Sequence, residues 1–348
     1  MRQSIGNDAP ASARPRATIS RRSVLAAGLG LAGAAWLARP ARAQARVKIG
    51  YLPVQNCGPL FVAEDQGYMR DAGLDVEWVR FNAGAEMVAP LGTGELTAGY
   101  GSSSPGLFSS WARGVNTVLV ADGGKLVPGY GSALTVVRSD LVDQIRTGAD
   151  LRGRQVGMSV VGSLYDYIMR NLLEQHALTM DDVEVVRLPS ADVNAGLAAR
   201  RLDVAGVGEP YAALAEQNGI ARRWMTGDQI VPNMQVAGLF VSERASADRP
   251  LITALVTAYL RGIRAHVPGQ NSDPAIVEIV SRWTGVSPEA IRLSIPNYFD
   301  PNGALNVDDL RRQQEFWLRE GMLASAASID DHVDPGFVDA ALRQLGRV

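Results

Sequence analysis

The feature of this sequence that most narrows what it can fold into is a unit written twice. Val47-Lys48-Ile49-Gly50 reads as a short apolar strand, followed by a helix-like stretch opened by Pro59 and then by Asp75-Val76-Glu77-Trp78-Val79-Arg80-Phe81. Further along, Gln155-Val156-Gly157 leads through an amphipathic stretch, Tyr165–Glu174, to Asp182-Val183-Glu184-Val185-Val186-Arg187-Leu188. Gly50 to Asp75 is 25 positions, and Gly157 to Asp182 is again 25. A shared D-V-E-x-V-R at one spacing marks two copies of one supersecondary unit. Both copies continue alike, through a helix ending at Gly94-Glu95-Leu96 or Arg200-Arg201-Leu202. Each then enters a short strand, Ala98-Gly99-Tyr100-Gly101 or Val204-Ala205-Gly206-Val207-Gly208. Strand, helix, strand, helix, strand is a β-α-β-α-β module, because parallel neighbours need a helical crossover. The sequence therefore predicts an α/β fold of two lobes, each a mainly parallel sheet flanked by helices.

Two apolar segments lie outside the modules, Ala133–Val137 and Val236–Val241. Each follows turn-forming residues, Pro128-Gly129 and Pro232-Asn233. They are the expected interlobe crossings of a two-segment hinge. The division that follows is 44–132 for the first part of lobe 1, 133–236 for lobe 2, and 237–348 for the return to lobe 1. The last part is mostly helical, with an amphipathic Leu251–Val267 and helix starts at Asp273-Pro274 and Ser287-Pro288-Glu289. These helices are expected to buttress the first lobe.

Residues 1–43 read as an export signal rather than as part of the fold. A basic leader ends in Ser20-Arg21-Arg22-Ser23-Val24-Leu25, an apolar run extends to Leu37, and Ala41-Arg42-Ala43 offers small residues for cleavage near Ala43. Paired arginines before an apolar run are the twin-arginine pattern. The alternative is an ordinary secretory signal in which Arg21 and Arg22 are plain basic charge, but Arg39 and Arg42 behind the run disfavour it. The run falls short of the roughly 20 residues that span a bilayer. Removing seven arginines and Asp8 with this segment leaves 27 basic and 35 acidic residues, a net charge of −8. An acidic surface argues against nucleic acid and anionic membrane as partners. About 300 residues remain, more than one comfortable core.

In open parallel sheets, ligands bind beyond the carboxyl ends of the strands. Copy one places Gln55, Asn56 and Cys57 there after its first strand, and Ser102, Ser103 and Ser104 after its third. Copy two places Val161-Gly162-Ser163 and Glu209-Pro210-Tyr211 at the equivalent points. By the repeat, Asn56 and Ser163 should face each other across a cleft. Hydroxyls, amides and helix N-termini suit an oxyanion, although Ser163 is equally suited to plain helix capping. Glu209 is read as a receiver for an amine or amino-substituted ring, or else as a partner for a lobe residue or a cap for the next helix. Tyr130 and Tyr211 are the tyrosines favoured for enclosing a ligand.

Catalytic signals are weak. His176, His266 and His332 are far apart and outside the predicted loops, and no metal-ligand spacing, nucleophile elbow or phosphate-binding loop occurs. The only cysteine, Cys57, excludes an intrachain disulfide and is expected to be a buried inert thiol. No cofactor or metal is expected.

The mature chain resembles the periplasmic binding proteins for aliphatic sulfonates, nitrate and taurine, together with the binders of thiamine-pyrimidine precursors. The matching stretches are Ile49-Gly50-Tyr51, Leu60-Phe61-Val62-Ala63-Glu64-Asp65-Gln66-Gly67-Tyr68, Leu151-Arg152-Gly153-Arg154-Gln155-Val156-Gly157, Gly162-Ser163 and Glu209-Pro210-Tyr211. Gly208 stands where a tryptophan is common in the family. The resemblance implies a type II periplasmic binding fold acting as a monomeric, non-enzymatic substrate-binding component. Its solute would be a sulfonate, a taurine-like or an amino-heterocyclic compound, delivered to an ABC permease and its ATPase. It also implies two rivals, a thiamine-pyrimidine synthase-like enzyme and a module presenting ligand to a membrane chemosensor.

The export reading has a direct test. Replacing Arg21 and Arg22 with lysine should empty the periplasmic fraction of the protein, whereas a secretory signal would tolerate the exchange.

Overall fold

Among the described residues, 44–82 and 84–348 of a computed structural model, ten strands form two sheets of the same build. The export segment lies outside them. The strands are β1 (Ala45–Tyr51), β2 (Leu74–Arg80), β3 (Ala98–Ser102), β4 (Thr117–Asp122), β5 (Ala133–Arg138), β6 (Gln155–Met158), β7 (Glu184–Arg187), β8 (Val204–Gly208), β9 (Ala221–Thr226) and β10 (Ala237–Ser242). Their orders are β2-β1-β3-β10-β4 and β7-β6-β8-β5-β9, with one antiparallel strand in each otherwise parallel set. The repeat survives down to register. Gly50 pairs with Val79 and Gly157 with Val186, the same offset of 29 positions. Both glycines meet the same demand, because a Cβ would lie 2.6 Å from Met87 Sδ at Gly50 and 2.7 Å from Leu202 Cδ1 at Gly157. In each lobe the covering side chain rests directly on the strand.

The two apolar segments expected to cross between lobes do not cross. Ala133–Arg138 is β5, between β8 and β9, and Ala237–Ser242 is β10, between β3 and β4. The physical reason is their unbroken apolarity, which fits a strand buried on both faces; all six residues of β10 are buried. The crossings are the segments just before them, 123–132 and 231–236. These are bound to each other, with Leu126 N donating to Met234 O at 3.0 Å and Val236 N to Gly124 O at 2.9 Å.

One buried cluster fixes this junction. Gln235, fully buried, donates from Nε2 to Asp122 Oδ1 (2.6 Å) and accepts at Oε1 from Asn306 N (2.8 Å). Its backbone N–H donates to Asp309 Oδ2 at 2.7 Å. Asp122 also accepts from Asp300 N at 2.7 Å.

Ten helices of six or more residues flank the sheets: α1 (Gly58–Asp65), α2 (Pro105–Ala112), α3 (Leu164–Glu174), α4 (Val193–Ala198), α5 (Tyr211–Gln217), α6 (Arg249–His266), α7 (Pro274–Thr284), α8 (Pro288–Leu293), α9 (Val307–Arg319) and α10 (Gly336–Leu345). Helix α6 lies against α1 so closely that a Cβ on Gly262 would stand 2.2 Å from Pro59 O. The C-terminal helices do more than buttress lobe 1. Helix α9 packs Phe316 on Tyr167 of α3, with rings 4.7 Å apart, and Glu320 just beyond it takes Arg170 at 2.6 Å. Helix α8 reaches α5 through Gln217 and Glu289 (2.8 Å). Among the described residues no helix is long and apolar enough to cross a membrane.

Burial pushes the Asp122 carboxyl up from 3.8 to about 6, opposed by Lys125 and by its hydrogen-bond donors. Between those values the folded protein holds a proton that the unfolded chain has released, so stability falls as pH rises through that window. Urea unfolding across it should show a smaller pH slope in Asp122→Asn than in the parent. Asp309 and Glu64, raised in the same direction by burial, retain the remainder. Parallel curves would exclude Asp122 as the titrating group.

Candidate functional site

Strand β3 carries the site because of its alternation. Tyr100 points toward the hinge, where its hydroxyl donates to Gly123 O. Gly99 and Gly101, one position either side, present no side chain to the opposite face. Over that face lie Met87, Leu91, Leu107 and Phe240, all buried. They roof a space that the glycines leave open, a cavity of about 290 Å³. Its mouth is formed by Ser102, Ser104, Pro105 and Gly106 from lobe 1 and by Val160, Val161 and Gly162 from lobe 2. The lobes meet here, since a Cβ on Gly162 would lie 2.9 Å from Pro105 Cγ, and Gly162 adopts φ 75°. Val160 and Val161 are 72% and 61% exposed, so large apolar side chains are held in the open at the lip. Among the described residues, none walling the cavity carries a charge.

The predicted site residues divide sharply against this geometry. Ser102 and Ser104 stand at the mouth, and Ser104 also caps α2 by accepting from Leu107 N at 3.3 Å. Ser103 does not belong. It faces the core, its hydroxyl 2.7 Å from Gln313 Oε1 and 3.0 Å from Gln235 O, because adjacent residues leave an extended segment on opposite sides. Gln55 donates to Ser294 Oγ at 3.2 Å, and Asn56 reaches the Tyr100 hydroxyl. Ser163 caps α3 by accepting from Asp166 N at 3.3 Å and lies 3.1 Å from Ser159 Oγ. Gln55, Asn56 and Ser163 do not wall the cavity; the neighbours of Ser163 at 160–162 do. Tyr130 packs edge-on against Tyr298 with rings 5.6 Å apart, and Tyr211 packs on the outer core of lobe 2. They too lie away from the cavity.

Glu209 requires a correction. Its side chain is only 2% exposed and both of its oxygens accept hydrogen bonds within the protein. Oε1 accepts from Arg223 Nη2 (2.7 Å) and Ile295 N (3.1 Å), while Oε2 accepts from Ala213 N (3.0 Å) in the first turn of α5. It is an ion-pair partner and a helix cap at once, and it does not line the cavity. The case for an amine-bearing ligand loses its acid.

Sequence reasoning missed Met87, Leu91, Leu107, Phe240 and Val160, and it named Val161 only as part of a cleft loop. The available signals were glycines at alternating positions inside a strand and two adjacent valines in a loop. The cysteine and the histidines lie elsewhere. Burial pushes the Cys57 thiol up to about 12, with a backbone hydrogen bond from Leu52 opposing. Burial lowers His266 to about 3, and His332 stacks on Trp111 at 4.6 Å. Among the described residues no group of three or more His, Cys, Asp or Glu is placed to hold a metal.

The model of the NMT1-like family matches residues 41–279, and the chain belongs to that family. A Synechocystis bicarbonate transport ATP-binding protein is 28% identical over 261 residues, covering 70% of this chain and 38% of that protein. The chain spans about half the length of the Brucella abortus relative it matches at 27% identity over 173 residues. Among solved structures, the periplasmic aliphatic sulphonate binding protein SsuA of Escherichia coli superposes with a TM-score of 0.71 at 18% identity, over 83% of this chain and 92% of that one. The desulfurization enzyme DSZB superposes at 0.65 with 21% identity, over 86% of this chain and 100% of that one. These likenesses establish the two-lobed fold, which carries both binding and catalysis.

Glu209→Gln should lower unfolding stability by about 1–3 kcal/mol, since Arg223 keeps Glu216 and partial solvent contact. Affinity for any solute should be unchanged. A loss of affinity without loss of stability would return Glu209 to the binding site.

Proposed function

We propose that this member of the NMT1-like family is the solute-binding component of an ABC importer. It would be exported through the segment at residues 1–43 and would work in the periplasm as a monomer that hands its solute to a permease. The observation that carries this reading is a cavity walled by both lobes at the carboxyl ends of their strands, where open α/β sheets take ligands. The relative named for bicarbonate transport and the neighbour named for sulphonate binding support it.

Capture follows from the hinge. The paired crossings are the two covalent links between the sheets, so the lobes can rotate about them while each sheet stays rigid. A solute that touches Ser102–Gly106 on one side and Val160–Gly162 on the other is held fully only when the lobes approach. Its differential affinity then shifts the population toward the closed form. That closed form is the shape a permease would recognise. An enzymatic role is disfavoured by the placement of Cys57, His266 and His332, each buried away from the cavity.

A thermal-shift screen of the protein against sulfonates, taurine, nitrate, aminopyrimidines, flavins and aromatic acids tests the reading. A true solute at a hundredfold excess over its Kd should stabilise by about 2.7 kcal/mol and be recovered unchanged. Conversion of the solute into product would replace transport with catalysis.

A further inference from the structure

The two copies of the repeat serve as controls for one another. Pairing register defines their equivalent positions: Gly99 faces Gly50 as Ala205 faces Gly157, and Gly101 faces Gly238 as Val207 faces Leu134. In copy two this sheet face is filled. Ala205 and Val207 are fully buried in a tight cluster with Leu134, Val136, Leu197 and Leu202. In copy one the same positions are glycine, and the cavity stands in place of the missing side chains.

Gly101 is required neither by the backbone nor by crowding, and Gly99 is not required by the backbone. The positive-φ residues do not include Gly99 or Gly101. A Cβ on Gly101 would meet Phe240 at an ordinary 3.7 Å, and one on Gly99 would meet the flexible Met87 Sδ at 3.1 Å. Glycine inside a strand weakens it and forgoes apolar burial. One lobe carries that cost and its twin does not, which marks the cavity as a built space rather than a packing accident.

Resting on the proposed solute capture, we infer that this space receives an uncharged molecule with an apolar body and one neutral hydrogen-bond acceptor, rather than a free inorganic or sulfonate anion. The walls are mainly methionine, leucine, valine and phenylalanine; the hydroxyls of Tyr100 and Thr117 are engaged with Gly123 O and Trp111 Nε1, and among the described lining residues no lysine, arginine or histidine compensates a buried negative charge. The polar residues at the mouth, Ser102 and Ser104, carry neutral hydroxyls, which suit an alcohol, ketone, ester or amide oxygen. The exposed Val160 and Val161 close over the apolar end.

The test is calorimetric titration of the full chain with benzyl alcohol and cyclohexanone, set against ethanesulfonate, nitrate and bicarbonate. The neutral probes should bind and the anions should not. Gly101→Val, which restores the filling of copy two, should keep the melting temperature at or above that of the parent and weaken the neutral probes about tenfold or more. If Gly101→Val does not fold, Gly99→Ala carries the test, since it asks only that Met87 shift. Anion binding with no response to neutral probes, or neutral binding untouched by both variants, would overturn the apolar site and leave solute capture standing. Silence from every probe of both classes would overturn the two together.

Discussion

The structure depends on how Gln235 is tied down. This one residue on the second crossing binds the end of β4 through Asp122, the C-terminal segment through Asn306 and Asp309, and β10 through Ala237 O at 2.8 Å. All of its polar atoms are buried, so each bond lost would leave an unpaired group in a dry interior. Burial pushes the Asp122 carboxyl up, and Lys125 and the donors around it only partly oppose that shift. A hinge built like this bends at its crossings but does not slip. Its two strands are bonded to each other, and the C-terminal helices are pinned to the same knot. Rotation of the lobes therefore keeps both strand ends aimed at one place.

That place is defined by a difference between two copies of one unit. The same register and the same strand order occur in both lobes, yet where lobe 1 has Gly99 and Gly101 lobe 2 carries Ala205 and Val207. Duplication by itself would give two filled cores. Departure from symmetry at Gly99 and Gly101 is what turns one of them into a receptacle. Lobe 2 supplies the lid, through Val160–Gly162, instead of a second cavity of the same kind.

Much of the fold could be read from the chain before any coordinates. The D-V-E-x-V-R spacing predicted both lobes, and the structure carries that spacing into one shared strand register, because crossover length is a local matter. The apolar runs at 133–137 and 236–241 were read as crossings and are sheet strands, since an unbroken apolar run reports burial on both faces rather than passage between lobes. The site was harder. Ser102, Ser103 and Ser104 look alike in sequence, yet alternation sends the middle one into the core. Glu209 was read toward a ligand because its captors, Arg223 and Ile295, come from a distant strand and a distant loop. Polar residues at strand ends are chosen by tertiary partners, and spacing alone does not reveal those partners. The cavity was written in glycines, which signal by what they omit.

The central claim is that solute is gripped from both lobes at one cavity. Amide hydrogen exchange, measured with and without a solute that raises the melting temperature, tests this most directly. The account predicts that protection rises together in Ser102–Leu107 of lobe 1 and Val160–Ser163 of lobe 2. Protection confined to one lobe, or centred on Gln55–Cys57 and Glu209–Tyr211 instead, would contradict it.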